Sequence, residues 1–165
     1  MQLSILMANI VERGWVYRDE FSREESTGDV KVKYKLANTV IADELAIFPF
    51  IVLTSRGSSC KRWTTKIVEP KEWCDVQTRH FPKTTTYIDV KRVEILSVED
   101  IQKKRRGGRE SFAKMARLPE NGMRELDQLK VRARRSTDTP DDTKTILGIT
   151  LGEEITDSFL HKYNL

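Results

Sequence analysis

Cysteine and histidine are scarce in this chain, two of each in 165 residues. Cys60 and Cys74 do not suggest a disulfide framework for a chain of this size, so a reduced, cytoplasmic setting is the default expectation. Cys60, Cys74 and His80 include no pair of closely spaced ligands, which argues against a structural zinc site. His80 and His161 are too far apart in sequence for a compact two-histidine motif. Long apolar runs are also missing. Nothing approaches ~18 consecutive apolar residues, so no membrane span is expected. The opening "MQLSILMANIVERGW" has neither the basic lead nor the small-residue cleavage site of a signal peptide. Glycine-rich dinucleotide fingerprints, P-loops and nucleophile elbows are absent as well.

Charge, by contrast, is abundant. Charged residues make up 33% of the chain and apolar residues 38%, a more polar balance than an average globular domain. The length still suits one domain with a real core. The net charge of +4 is unevenly spread: residues 1–102 are neutral, with 15 basic and 15 acidic side chains. Residues 103–135 carry 12 basic and 4 acidic residues, and residues 136–165 carry 2 basic and 6 acidic. A neutral body, a basic middle and an acidic end point to a polyanionic partner for the basic segment. The chain divides on this basis into an α+β body (1–96), a basic helical arm with its linker (97–144), and a C-terminal strand and helix packing on the body (145–165).

Within the body, Leu3, Leu6, Met7, Ile10 and Val11 share one helical face, and Gly14 is a natural stop. "WVYRDEF" and "DVKVKYKL" read as strands joined by the turn "STGD" at 26–29. In the second, Val30, Val32, Tyr34 and Leu36 alternate with Lys31, Lys33 and Lys35. One face is therefore expected to pack and the other to carry three ammonium groups about 7 Å apart. The apolar run from Ile47 to Leu53, broken by Pro49, suits a buried strand. "KRWTTKIVEP" and "TTTYIDVKRVEIL" read as further strands. The expected body is a mostly antiparallel four- to five-stranded sheet with a short N-terminal helix.

After Leu96 the texture changes. Ser97 and Asp100 form a capping box opening a short helix that stops at Gly107-Gly108. "ESFAKMARL" reads as a second helical piece ended by Pro119. "GMRELDQLKVRARR" reads as a third, with Met123, Leu126 and Leu129 on one stripe. At the end, Thr145–Leu151 reads as a strand, followed by a helix capped by Thr150 and Glu153 and packing through Ile155, Phe159 and Tyr163.

Two constellations bear on function. Lys103, Lys104, Arg105, Arg106 and Arg109 crowd five cations into seven positions around two glycines. Arg132, Arg134 and Arg135 extend the basic character to the end of the third helix. Such cations bind phosphates by releasing counterions, without reading base sequence. "RGGR" resembles a single RGG unit of RNA-binding tails. With Phe112 the one aromatic nearby, contact with the backbone is expected rather than base stacking.

The second constellation is "YIDVK" at 87–91, which resembles the second half of the PD-(D/E)xK nuclease signature. The resemblance implies that Asp89 holds a divalent metal such as Mg²⁺ while Lys91 orients or activates the attacking water. A period of two places both on one face of a strand. Asp75, 14 residues earlier, would supply the upstream acid, and Glu44 or Glu20 would complete the metal shell. No Pro precedes Asp75, and the acid is Asp where Glu is commoner.

The leading expectation is therefore a non-enzymatic nucleic-acid-associated protein that binds phosphate backbone through the basic arm, with no cofactor. One alternative is an assembly subunit of a virion or ribonucleoprotein particle, whose arm docks on neighbouring chains. The other is the metal-dependent nuclease, the one reading that calls for Mg²⁺.

Overall fold

A computed structural model describes residues 11–23, 30–38, 47–77, 81, 83–106, 108 and 111–163. β1 (Trp15–Arg23) and β2 (Val30–Ala37) pair antiparallel, with Val16 opposite Leu36 and Tyr17 opposite Lys35. β3 (Ile47–Val52) is almost wholly buried, as its apolar run predicts, and lies between β2 and β6 (Val93–Ser97). β7 (Phe112–Arg117) joins the far side of β1. The result is a five-stranded antiparallel sheet in the order β6-β3-β2-β1-β7. β4 (Thr65–Val68) and β5 (Thr86–Asp89) form a second, two-stranded sheet. The run "TTTYIDVKRVEIL" thus supplies two strands, β5 and β6, with a turn at Val90-Lys91 between them. The α+β class and the antiparallel sheet agree with the sequence reading.

Strand alternation gives the large sheet two apolar faces. On one, Tyr17, Ala37, Phe48, Phe50, Leu96 and Phe112 pack with Ile101 of α1 (Val98–Arg105). Tyr17 stacks on Phe112 with ring centroids 5.2 Å apart, and Phe50 meets both edge-on. On the other, Val16, Leu36, Ile51 and Ala116 pack with Val68 and Ile88 of the small sheet. Met123, Leu126 and Ala133 of α2 (Glu120–Arg135) and Leu147 of α3 (Asp141–Thr150) close that side. Phe159 of α4 (Asp157–Lys162) adds a satellite cluster with Ile47, Ile146 and Ile149. Each such side chain, once buried, contributes roughly 1.5–3 kcal/mol.

The capping box at α1 is present as expected. The Asp100 amide donates to Ser97 Oγ at 3.0 Å, and the Ser97 amide donates to the Asp100 carboxylate at 2.9 Å. Several other expectations are corrected. Residues 112–117, expected as helix, form β7, because pairing with β1 completes the sheet and outweighs local propensity. Thr145–Leu151, expected as a strand, lies mostly within α3, where Ile146, Leu147 and Ile149 are buried. A short apolar run does not distinguish buried strand from buried helix, and the acidic first turn Asp141-Asp142 after Pro140 marks the actual start. The Thr150–Glu153 cap does not open the last helix. Gly152, at φ 99°, ends α3 instead, and Thr156 caps α4 by accepting from the Phe159 amide at 3.3 Å.

β2 departs from its alternation in a way that matters for function. Val30 and Val32 are 51% and 44% exposed, whereas Lys35 is fully buried. The cause is the neighbour: β3 pairs with β2 only from Lys35 to Ala37, so the first half of β2 runs on past the end of β3. The expected helix at 3–11, apart from Val11, and the turn at 26–29 lie outside the described residues.

Candidate nucleic-acid interface

The basic segment does not form one surface. α1 and α2 lie on opposite faces of the large sheet, because Ile101 packs with Tyr17 and Ala37 while Leu126 packs with Val16 and Leu36. β7 lies between them in the chain. The cations expected to act together are therefore divided.

On the α1 side, Lys104 Nζ lies 3.0 Å from Asp19 Oδ2. Arg105 Nε donates to the Phe112 carbonyl at 3.3 Å, and its guanidinium lies 5.6 Å from the centre of the Phe112 ring. Burial lowers the pKa of Arg105 below its usual value. Lys103 pairs with Glu99 one turn earlier, at 3.1 Å, and Arg106 at the helix end is exposed. Arg109 lies outside the described residues. On the α2 side, Arg134 pairs with Glu153 through both guanidinium nitrogens, while Arg132 and Arg135 are exposed. The stripe residues Met123 and Leu126 are buried in the core, and Leu129 packs at its margin.

The lysine row of β2 is also divided. Lys35 is held by Asp19 and Glu94, both at 2.7 Å. Lys31 and Lys33 lie further out, where β2 has left β3 behind. Beside them a cleft of about 480 Å³ opens. Its charged lining is Lys31, Lys33, Arg56 and Lys83, and no acidic residue lines it among the described residues. Thr54, Ser55, Thr84 and Thr86 supply hydroxyl groups. Its apolar part is Val32, Tyr34, Leu53 and Phe81, where Tyr34 and Phe81 stack with centroids 4.6 Å apart and Trp73 backs Phe81 at 5.7 Å.

Local structure fixes the cleft wall at 53–57. The Leu53 amide donates to the Tyr34 carbonyl at 2.9 Å, and Thr54 and Tyr87 exchange backbone bonds at 3.2 and 2.8 Å. Thr54 Oγ1 accepts from the Arg56 amide at 3.1 Å, turning the chain so that Arg56 lines the opening. Gly57 then passes against Tyr87 so closely that a Cβ would stand 2.5 Å from the ring. Among the described residues, no carboxylate pairs with Arg56 or Lys83. A concave surface with four cations, several hydroxyl donors and an aromatic pair is chemically suited to a phosphate group attached to a flat ring.

The sequence reading missed this cleft because its three walls, 31–34, 53–56 and 81–86, are far apart in the chain. A signal was present, however. "TSR" and "KTT" each set hydroxyls beside a single cation.

The residues of the nuclease-like motif occupy separate settings. Asp89 is buried at the end of β5, where its Oδ1 accepts from Thr64 Oγ1 at 3.2 Å and from the Lys91 amide at 3.1 Å. Lys91 stands in the turn after β5 rather than on the strand, so the period-two argument does not apply to it. Asp75, at φ 51°, accepts from Arg117 Nε at 2.8 Å beside the edge of β7. Glu20 pairs with Arg18, and Glu44 and His80 lie outside the described residues. Among the described residues, no group of three His, Cys, Asp or Glu side chains is arranged to hold a metal ion. Cys60 and Cys74 are free thiols.

The chain matches no model of a known protein family and no curated protein.

Proposed function

We propose that this protein is a non-enzymatic nucleic-acid-associated protein, with the cleft between β2, the 53–57 turn and the 81–86 segment as the centre of contact. The observation that carries the reading is the cleft's lining. Lys31, Lys33, Arg56 and Lys83 line it together with the hydroxyl groups of Thr54, Ser55, Thr84 and Thr86, next to the stacked Tyr34 and Phe81. Cations neutralise phosphates and release their counterions. An aromatic face beside them accommodates a base of any sequence. A cleft of this size takes one or two nucleotide units rather than a duplex, which favours single-stranded nucleic acid. The expected basic arm contributes charge, but a site made only of α1 and α2 side chains offers no concave surface of this kind.

The test is a titration of a fluorescent single-stranded oligonucleotide with the protein and with Arg56→Gln/Lys83→Gln. The double variant is expected to bind several-fold more weakly. Its slope of log affinity against log salt should be flatter by about 1–2 units, from about 0.7 per lost phosphate contact on a single strand. Equal affinity and equal slope for the two proteins would overturn the reading.

A further inference from the structure

β2 has a stretch of edge without a partner strand among the described residues, and the cleft opens beside it. The Tyr34 carbonyl accepts from the Leu53 amide at 2.9 Å, and the Asn38 amide donates to the Pro49 carbonyl at 3.1 Å. Even-numbered residues of β2 therefore turn their backbone groups towards β3, and odd-numbered ones towards β1. By this rule Val32 points its amide and carbonyl outward. β3 ends at Val52, and after Leu53 the chain turns away so that Thr54 bridges Tyr87. Among the described residues, no backbone group meets Val32 on that side. β1 still holds β2 in strand form there, pairing Asp19 with Lys33 and Ser22 with Lys31.

The lining of the cleft has the form of a gap for a strand. Lys31, Val32, Lys33 and Tyr34 all contribute to it. Four consecutive residues line one cavity when a strand offers its edge, because a strand face offers alternate side chains only. The opening lies along the line that β3 would have followed had it continued beside β2. Val30 and Val32 are exposed on the side of β2 that carries Tyr34. Tyr34, Leu53 and Phe81 prolong that apolar surface into the cleft. Arg56 and Lys83 line it too, and neither pairs with a carboxylate among the described residues.

We infer that this edge takes up an extended acidic segment of another protein as an added strand, lying beside β2 where β3 has departed. The main chain of the segment completes the ladder at Val32. Its alternate apolar side chains cover Val30, Val32 and the Tyr34–Phe81 pair, and a carboxylate meets Arg56 or Lys83. The ladder calls for backbone amides and carbonyls, which a nucleic acid lacks. A second copy of β2 would set its own Lys31 and Lys33 against the cations of the cleft, and like charges opposed across strands destabilise the pairing. This inference does not rest on the nucleic-acid reading. Where both hold, peptide and oligonucleotide compete for Arg56 and Lys83.

The probe is a fluorescent peptide of roughly eight residues, within the ordinary range of strand lengths, in which valine alternates with glutamate. Its control carries glutamine in place of each glutamate. The native chain is expected to bind the acidic peptide saturably and the control several-fold more weakly. Hydrogen exchange of the Val32 amide, followed by NMR, should slow when the acidic peptide binds. Val32→Pro removes the outward donor without removing a bond to β1, and should weaken peptide binding several-fold. The exchange measurement uses the native chain, so it decides the matter whether or not this variant folds well. No saturable binding, saturable binding with Val32 exchange unchanged, or equal peptide affinity for the native chain and Val32→Pro would each overturn the inference. Self-association of the native chain that Val32→Pro abolishes would overturn it as well, by placing a second copy at the edge. If a dinucleotide fails to bind while the peptide binds and protects Val32, the nucleic-acid reading falls and the added strand stands.

Discussion

Lys35 has been withdrawn from water on every side and holds two carboxylates in exchange, Asp19 and Glu94. Buried ions of this kind add little net stability while intact, yet the loss of one partner leaves charge in a poorly solvating interior. Asp19 is itself fully buried and shared between Lys35 and Lys104. Asp19→Asn is therefore expected to destabilise the fold by about 3–5 kcal/mol, read as a lower midpoint in urea unfolding. A second residue gives a pH signature. Burial pushes the Tyr17 phenol from 10.0 up to about 12, although its oxygen accepts a hydrogen bond from the Glu12 amide. The unfolded chain ionises this phenol first, so its contribution is complete below pH 10 and is lost as pH rises from 10 towards 12. Stability should fall in that window for the native chain and fall less for Tyr17→Phe, with tyrosine absorbance following the ionisation. The opposite case is Lys130, fully buried beside Asp127, where burial lowers the pKa.

At the scale of elements, α3 and α4 are part of the core rather than an appendage. Leu147 packs with Leu126 and Ala133, while Ile146, Ile149 and Phe159 cover Ile47 on β3. Arg134 of α2 reaches Glu153 in the loop after α3, which holds the two helices together. A chain ending at Asp142 would uncover all of these residues, at roughly 1.5–3 kcal/mol for each buried side chain lost. Such a chain is expected to melt at much lower temperature, or without a cooperative transition, by circular dichroism. A truncated chain that melts as high as the full one would remove α3 and α4 from the account. The cleft depends on elements in a different way. Its volume exists because β2 is longer than the β3 edge that covers it, and because Gly57 lets the chain pass Tyr87.

For the whole molecule, the interleaving of segments decides the unfolding behaviour. Residues 97–144, read from sequence as an arm, supply α1 to one face of the sheet, β7 to its edge and α2 to the other face. Neither α1, β7 nor α2 can leave without opening a core cluster. Unfolding is therefore expected to follow a single transition, with far-ultraviolet dichroism and tryptophan fluorescence coinciding. Trp73 reports from the cluster beside Phe81, and Trp15 from β1 beneath Lys114. An early phase visible to one probe alone would show that residues 97–144 unfold as a separate unit. Charge is distributed on the same scale, since the cations adjacent in sequence at 103–135 are carried to opposite sides of a sheet by the intervening strand.

Local order set by nearest neighbours was legible in the sequence: the strands β1 and β2, the buried run of β3, the capping box at Ser97 and the stripe of α2. These features follow from side-chain periodicity and from hydrogen bonds spanning three residues, so no distant contact is needed to specify them. What required the tertiary structure was every outcome set by a partner remote in the chain. β7 is a strand because β1 is there to pair with it. Lys35 is buried because Asp19 and Glu94 converge on it, and α3 is a helix because Leu126, Ala133 and Ile47 offer its apolar side a surface. The cleft is the furthest case, assembled from three segments whose cations and hydroxyls carry no mark of one another until the sheets have formed. A chain's periodicity acts within a few residues, whereas a concave site is made by the meeting of segments whose separation in sequence is large.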